Sequence, residues 1–189
     1  MLKRKTIQWL VKNDVIDIED EELYAYALNC VILFSVPLTM SLVIGGILGC
    51  APECLLVVFP FALVRKYSGG HHAKNIMICN MESAMVMSIV IYISKIASDS
   101  WTLRGIMLLS IFSLIYHSPL GSDERRLQRQ EKIHYKRIVK IMCIIFGVVY
   151  VYFSIRNYER GAVSIAIGVI TCAGMQLPCI VQRYIRLEK

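Results

Sequence analysis

The sequence predicts an all-α, polytopic membrane helix bundle, and three observations carry that prediction. Hydrophobic residues make up 56% of the 189 and charged residues only 19%, with a mean hydropathy of +0.55, more apolar sequence than a soluble core requires. The apolar residues gather into six runs, about 27–49, 54–64, 76–97, 103–120, 138–155 and 161–181. A regular helix needs about 20 such residues to cross a bilayer. Finally, the lysines and arginines between the runs sort to one side of the membrane.

Each element follows in order. Residues 1–26 form an amphipathic N-terminal segment in which Ile7, Trp9, Leu10 and Val11 can face lipid while Lys3, Arg4, Lys5 and Lys12 meet anionic headgroups. A soluble cap on the bundle explains the same pattern. Charge interrupts its apolar residues, so it does not read as a signal peptide. The run 27–49 is a clear span. Pro52 and Glu53 in CAPEC then mark a turn, and the short run 54–64, with Pro60 inside, reads as a tilted, kinked or re-entrant helix that completes a first helical pair over 27–64. A catalytic loop is expected over 65–75, and spans three and four over 76–120, ended by Pro119, Leu120 and Gly121. A basic loop fills 121–140, and the last two spans and the tail fill 141–189, all within one domain.

With a cytoplasmic N-terminus and six crossings, only Lys95, Arg104, Arg156 and Arg160 of the 21 basic residues fall outside or at span ends. This expectation puts both termini and the 65–75 loop at the cytoplasmic face of the membrane. It also accounts for the net charge of +7 without a nucleic-acid partner. Seven cysteines scattered mostly through apolar stretches are not a secreted disulfide framework, although Cys50 and Cys54 are spaced to pair across the CAPEC turn.

Chemistry concentrates in residues 65–79, RKYSGGHHAKNIMIC. A thiol becomes a nucleophile near neutral pH when a base or a positive field draws off its proton, and a histidine supplies this. On a helix, His72 and Cys79 would share a face but stand about 10 Å apart along the axis. The histidine segment must therefore fold back, which Gly69 and Gly70 permit through positive φ.

The pattern R-x3-G-G-x-H-A-x5-C-x3-S, here Arg65, Gly69, Gly70, His72, Ala73, Cys79 and Ser83, resembles the signature of the accessory gene regulator protein B family of bacterial membrane cysteine endopeptidases. The resemblance extends to length, basic N-terminal segment, six apolar spans and the basic loop after the fourth. It implies that His72 and Cys79 are the catalytic pair and that no cofactor is needed. The implied substrate is a quorum-sensing propeptide with an amphipathic N-terminal helix and an acidic C-terminal tail. The enzyme would remove the tail through an acyl-enzyme thioester and promote closure of the remainder to a thiolactone or lactone. His71 stands where relatives often carry an aromatic residue, so two adjacent histidines compete for the base; the motif favours His72.

Supporting roles stay open. Glu82 and Ser83 lie three and four residues after Cys79 and share its helix face. Glu82 would orient His72 or bind substrate, or else simply reach water or pair with Arg65, Lys66 or Lys74. Asn80 is a candidate orienting amide or oxyanion donor. Arg65, Lys66 and Lys74 would lower the thiol pKa or hold a substrate carboxylate, and topology anchoring alone also explains them. Arg125, Arg126 and Arg129 in the basic loop would attract the acidic tail. His117 and His134 read as packing or surface residues, and no metal-ligand spacing is present. Gly45, Gly46 and Gly49 hint at helix association in a homodimer. The rival function is a membrane peptide transporter or export subunit without peptidase activity.

Overall fold

The computed structural model describes residues 6, 9–11, 13, 15–17, 20–69, 76–120 and 129–187. Seven helices are defined among them: α1 (Glu21–Leu48), α2 (Ala51–Ser68), α3 (Ile76–Ile96), α4 (Trp101–His117), α5 (Arg129–Ile155), α6 (Glu159–Gly174) and α7 (Leu177–Leu187). No strand occurs among the described residues.

Local chemistry sets the boundaries. α1 ends at Gly49, whose φ of 68° is the left-handed conformation glycine adopts without a Cβ penalty. Pro52 sits in the first turn of α2, where a missing N–H leaves no helical bond unmade. The chain reversal is thus at Gly49 and Cys50, and Pro52 and Glu53 belong to a helix instead of marking the turn. α2 runs through Pro60 and on to Ser68, because Arg65, Lys66 and Tyr67 end the apolar run without ending the helix. Residues 65–68 of the expected catalytic loop are therefore helical. In the same way α5 starts at Arg129, so the second half of the expected loop 121–140 is helix. α4 is capped by Ser100, whose Oγ accepts the Leu103 N–H at 3.2 Å, and it stops at His117, since the residue before Pro119 is pushed out of helical geometry.

The last apolar run, expected as one span over 161–181, divides. α6 stops at Gly174, Met175 and Gln176 form a turn, and α7 begins at Leu177. Pro178 is the cause: it has no N–H to offer the Gly174 carbonyl four residues earlier.

α6 is the axis of the fold, packed against α2, α3, α4 and α5. Eleven of its 16 residues are buried, which makes it the helix that the others enclose. Small residues, among them Ala162, Ser164, Ala166, Gly168 and Ala173, allow this. At Gly168 a Cβ would lie 2.5 Å from the Val57 carbonyl oxygen and 2.7 Å from Pro60 Cγ, so α2 and α6 meet there backbone to backbone. α1 lies outside, against α2 and α3. Gly45 faces α2, where a Cβ would come 2.6 Å from Cys54 Sγ, so this glycine serves a contact within the chain. Cys50 and Cys54 are free thiols with sulfurs 3.7 Å apart.

The outward surface is apolar. Ile47, Leu109, Phe112 and Ile155 are each at least 70% exposed, a pattern that water would penalise and lipid accepts. Among the described residues, Gln130–Ile155 and Glu159–Val181 are long and apolar enough to cross a membrane, with shorter apolar helices at Leu38–Leu48 and Trp101–His117. The molecule is a helical membrane bundle.

Its two ends differ. At one, Lys95 Nζ donates to the Leu48 carbonyl at 3.1 Å. Beside it, Asp99 accepts from Arg104 at 2.7 and 3.2 Å and from the Tyr150 hydroxyl at 2.6 Å, and its backbone N–H donates to Glu159. The Arg104 hydrogen bonds hold the Asp99 carboxyl below its ordinary range, against the opposing effect of burial and with help from Tyr150. The other end carries Ser68, Ser118 and Gln176.

Gly168→Ala would force α2 away from α6. It is expected to cost about 1–3 kcal/mol, visible as a lower unfolding temperature in detergent, whereas Gly105→Ala, with open space around it, should leave that temperature near wild type.

Candidate active site

The motif segment leaves α2 at a point fixed by three elements. The Ser68 carbonyl oxygen accepts the Leu120 N–H at 2.9 Å and one amide hydrogen of Gln176 Nε2 at 3.0 Å, using both of its lone pairs. Gln176 Nε2 also donates to Ser118 Oγ at 3.0 Å. Ser68 Oγ lies 3.6 Å from Cys172 Sγ on α6. Ser68, Ser118 and Gln176 are all buried. The amide orientation is unambiguous, because a carbonyl such as Ser68 O accepts and never donates.

Gly69 follows with φ 74° and ψ −170°. A Cβ at this position would clash with the Leu120 carbonyl oxygen. Glycine is therefore required twice, once for the dihedral and once for the contact. The expected positive φ at Gly69 is present; Gly70, His71, His72 and Lys74 lie outside the described residues, as do Arg125 and Arg126.

Cys79 and Asn80 occur at the start of α3, with Cys79 in its first turn; their side chains lie outside the described set. Ser83, one turn further on, is partly buried, and the Glu82 side chain is exposed. Arg129 opens α5, again with its side chain undescribed.

Two basic side chains at the end of α2 are engaged locally. The Arg65 guanidinium lies over the Phe61 ring at 5.4 Å, and Lys66 Nζ lies 5.4 Å from the Tyr67 ring centroid. The Tyr67 ring meets Tyr135 of α5 edge-on, with centroids 5.5 Å apart, so the end of α2 and the basic first turns of α5 are neighbours. Lys132 and Lys136 flank Tyr135 and are exposed. His117 is tied to its own helix, its Nδ1 standing 3.1 Å from the Ser113 carbonyl, and His134 is exposed.

The family model of accessory gene regulator B matches residues 3–180, nearly the whole chain and all of this segment. The chain belongs to the accessory gene regulator B family. No curated protein and no solved structure gives a match. Membership in the accessory gene regulator B family places the protein in a membrane and in the processing of a quorum-sensing autoinducer.

Sequence reading missed Gln176, Ser68 and Ser118. The signal for Gln176 was a lone carboxamide in an apolar run, between Gly174 and Pro178.

Gly69→Ala is expected to reduce autoinducer processing, with a backbone penalty of about 1–3 kcal/mol and a clash at Leu120 in addition. Processing assays at matched membrane levels, paired with thermal unfolding, check this; unchanged processing would remove Gly69 from the site.

Proposed function

We propose that this chain is a membrane cysteine endopeptidase that removes the acidic C-terminal tail of a quorum-sensing propeptide and promotes cyclisation of the remainder. Cys79 is the nucleophile and His72 the base. The observation that carries the reading is the combination, within one family-matched segment, of Gly69 held at positive φ against Leu120 and Cys79 in the first turn of α3.

His72 takes the proton of Cys79 Sγ, and the thiolate attacks the carbonyl carbon at the junction between signal segment and tail. The C–N bond breaks as a C–S bond forms, and His72 passes its proton to the departing amine. The thioester keeps enough acylating power for a thiol or hydroxyl of the bound peptide to attack it. That step forms the thiolactone or lactone and returns the Cys79 thiol without ATP. Water must be excluded, since hydrolysis would release a linear product.

The site belongs at the cytoplasmic face, with six crossings and both termini inside. The basic side of the membrane then coincides with the bundle end at Gly69, and Lys95 and Arg104 fall at the opposite end, where they are used structurally. The basic turns of α5, beside the end of α2, suit an acidic tail.

Co-expression with a propeptide and mass spectrometry of tail release tests the chemistry. Wild type should release the tail while Cys79→Ala and His72→Ala fail at matched membrane levels, and His71→Ala should retain activity. Processing by Cys79→Ala would exclude the nucleophile and favour a transporter. A Lys132→Glu/Lys136→Glu variant should raise KM about tenfold with little change in kcat, the signature of lost uniform binding; an unchanged KM would detach the tail from α5.

A further inference from the structure

A fully buried carboxamide inside an apolar bundle is costly unless its polar atoms are used, and Gln176 is fully buried. Its nitrogen is used twice, on Ser68 O and on Ser118 Oγ, which terminate α2 and follow α4 respectively. Ser68 immediately precedes Gly69, and Ser118 lies two residues before Leu120, whose N–H the Ser68 carbonyl accepts. The break between α6 and α7 puts Gln176 in a turn, with its own N–H on the Ala173 carbonyl and its carbonyl receiving the Ile180 N–H. Its Oε1 is buried and has no hydrogen-bond partner among the described residues. A buried acceptor left so costs about 1–3 kcal/mol, a cost that stability alone would remove by an apolar side chain of similar volume.

We propose that Gln176 is a positioning residue for the peptidase reaction: through Ser68 and Ser118 it fixes where the histidine-bearing segment starts relative to the helix that carries Cys79. This inference rests on the cysteine peptidase reading. Gln176 touches neither nucleophile nor base. It acts on the backbone from which the base is hung, so its loss should appear in kcat and in thiol activation and leave substrate affinity alone.

The test uses the full chain in nanodiscs as wild type, Gln176→Leu, Gln176→Glu and Ser118→Ala. Iodoacetamide alkylation of Cys79, followed by peptide mass spectrometry across pH, reports thiol activation without any substrate. Tail release gives kcat and KM. In Gln176→Leu, kcat should fall about 100-fold, the scale of a misplaced catalytic group, with KM within about twofold. The Cys79 alkylation profile should shift toward that of an unassisted thiol near about 8.5. Gln176→Glu can donate to Ser68 O only as the neutral acid. Its rate relative to wild type should therefore recover as pH falls, and Gln176→Leu should show no such recovery. Should Gln176→Leu fail to accumulate, that pH-dependent recovery and the smaller loss in Ser118→Ala carry the test. A Gln176→Leu protein with wild-type kcat and a wild-type Cys79 profile overturns the proposal, whatever its unfolding temperature. Absence of tail release by wild type sinks the peptidase reading instead, and the alkylation profiles still decide the role of Gln176.

Discussion

The close approach of α2 and α6 at Gly168 governs the rest of the molecule. In a bilayer, lipid is as apolar as leucine, so helices associate through packing and interhelical hydrogen bonds instead of the hydrophobic effect. Packing attraction falls off steeply with distance, and a small-residue face on α6 is what lets four helices come near enough to benefit. α2 approaches most closely, with the Val57 carbonyl and Pro60 against Gly168. Because α2 is an 18-residue rod, seating its middle also seats its end. That end is Ser68 and Gly69, and the Ser68 hydroxyl beside Cys172 continues the same α2–α6 contact to the last turn.

The two ends of the bundle solve the problem of helix termini differently. At the end with Asp99, charge satisfies the connections: a two-bond arginine–carboxylate pair, a tyrosine hydroxyl on the same carboxylate, and Lys95 on the last carbonyl of α1. At the end with Gly69 the bonds are neutral and converge on one carbonyl oxygen. Neutral hydrogen bonds of this kind fix the backbone where α2 ends.

Much of this was legible in sequence. Apolar runs locate the helices, because backbone groups in lipid must be bonded within the chain and helix is the local way to do so. The glycine pair correctly marks a positive φ at Gly69. Boundaries were less legible, since hydropathy reports where charge begins and not where helix stops: Arg65–Ser68 and Arg129–Lys140 are charged and still helical. The division at Gly174–Leu177 was written in Gly174 and Pro178, but apolar residues on both sides mask it. Glu82 drew notice as an ionisable residue in a span and proves exposed, whereas the neutral Gln176 is fully buried. No pattern in the sequence pairs residue 176 with residue 68; only the packed fold brings them together. Asp99 likewise lies between two apolar runs with no motif around it, yet it organises one end of the molecule.

The division of labour within the motif follows from how each half is held. Cys79 belongs to α3, and a residue inside a helix is located by that helix. The histidines follow Gly69 by two and three residues, and three residues of chain reach at most about 11 Å. The position of the proposed base therefore inherits whatever error exists at Gly69, while that of the proposed nucleophile does not. Among the described residues, the restraints gather at the first of these anchors, that at Gly69: two donors on Ser68 O, a glycine pressed on Leu120, and a buried carboxamide drawn from the far end of the chain. The start of the segment proposed to carry the base is thus held through one carbonyl oxygen, that of Ser68.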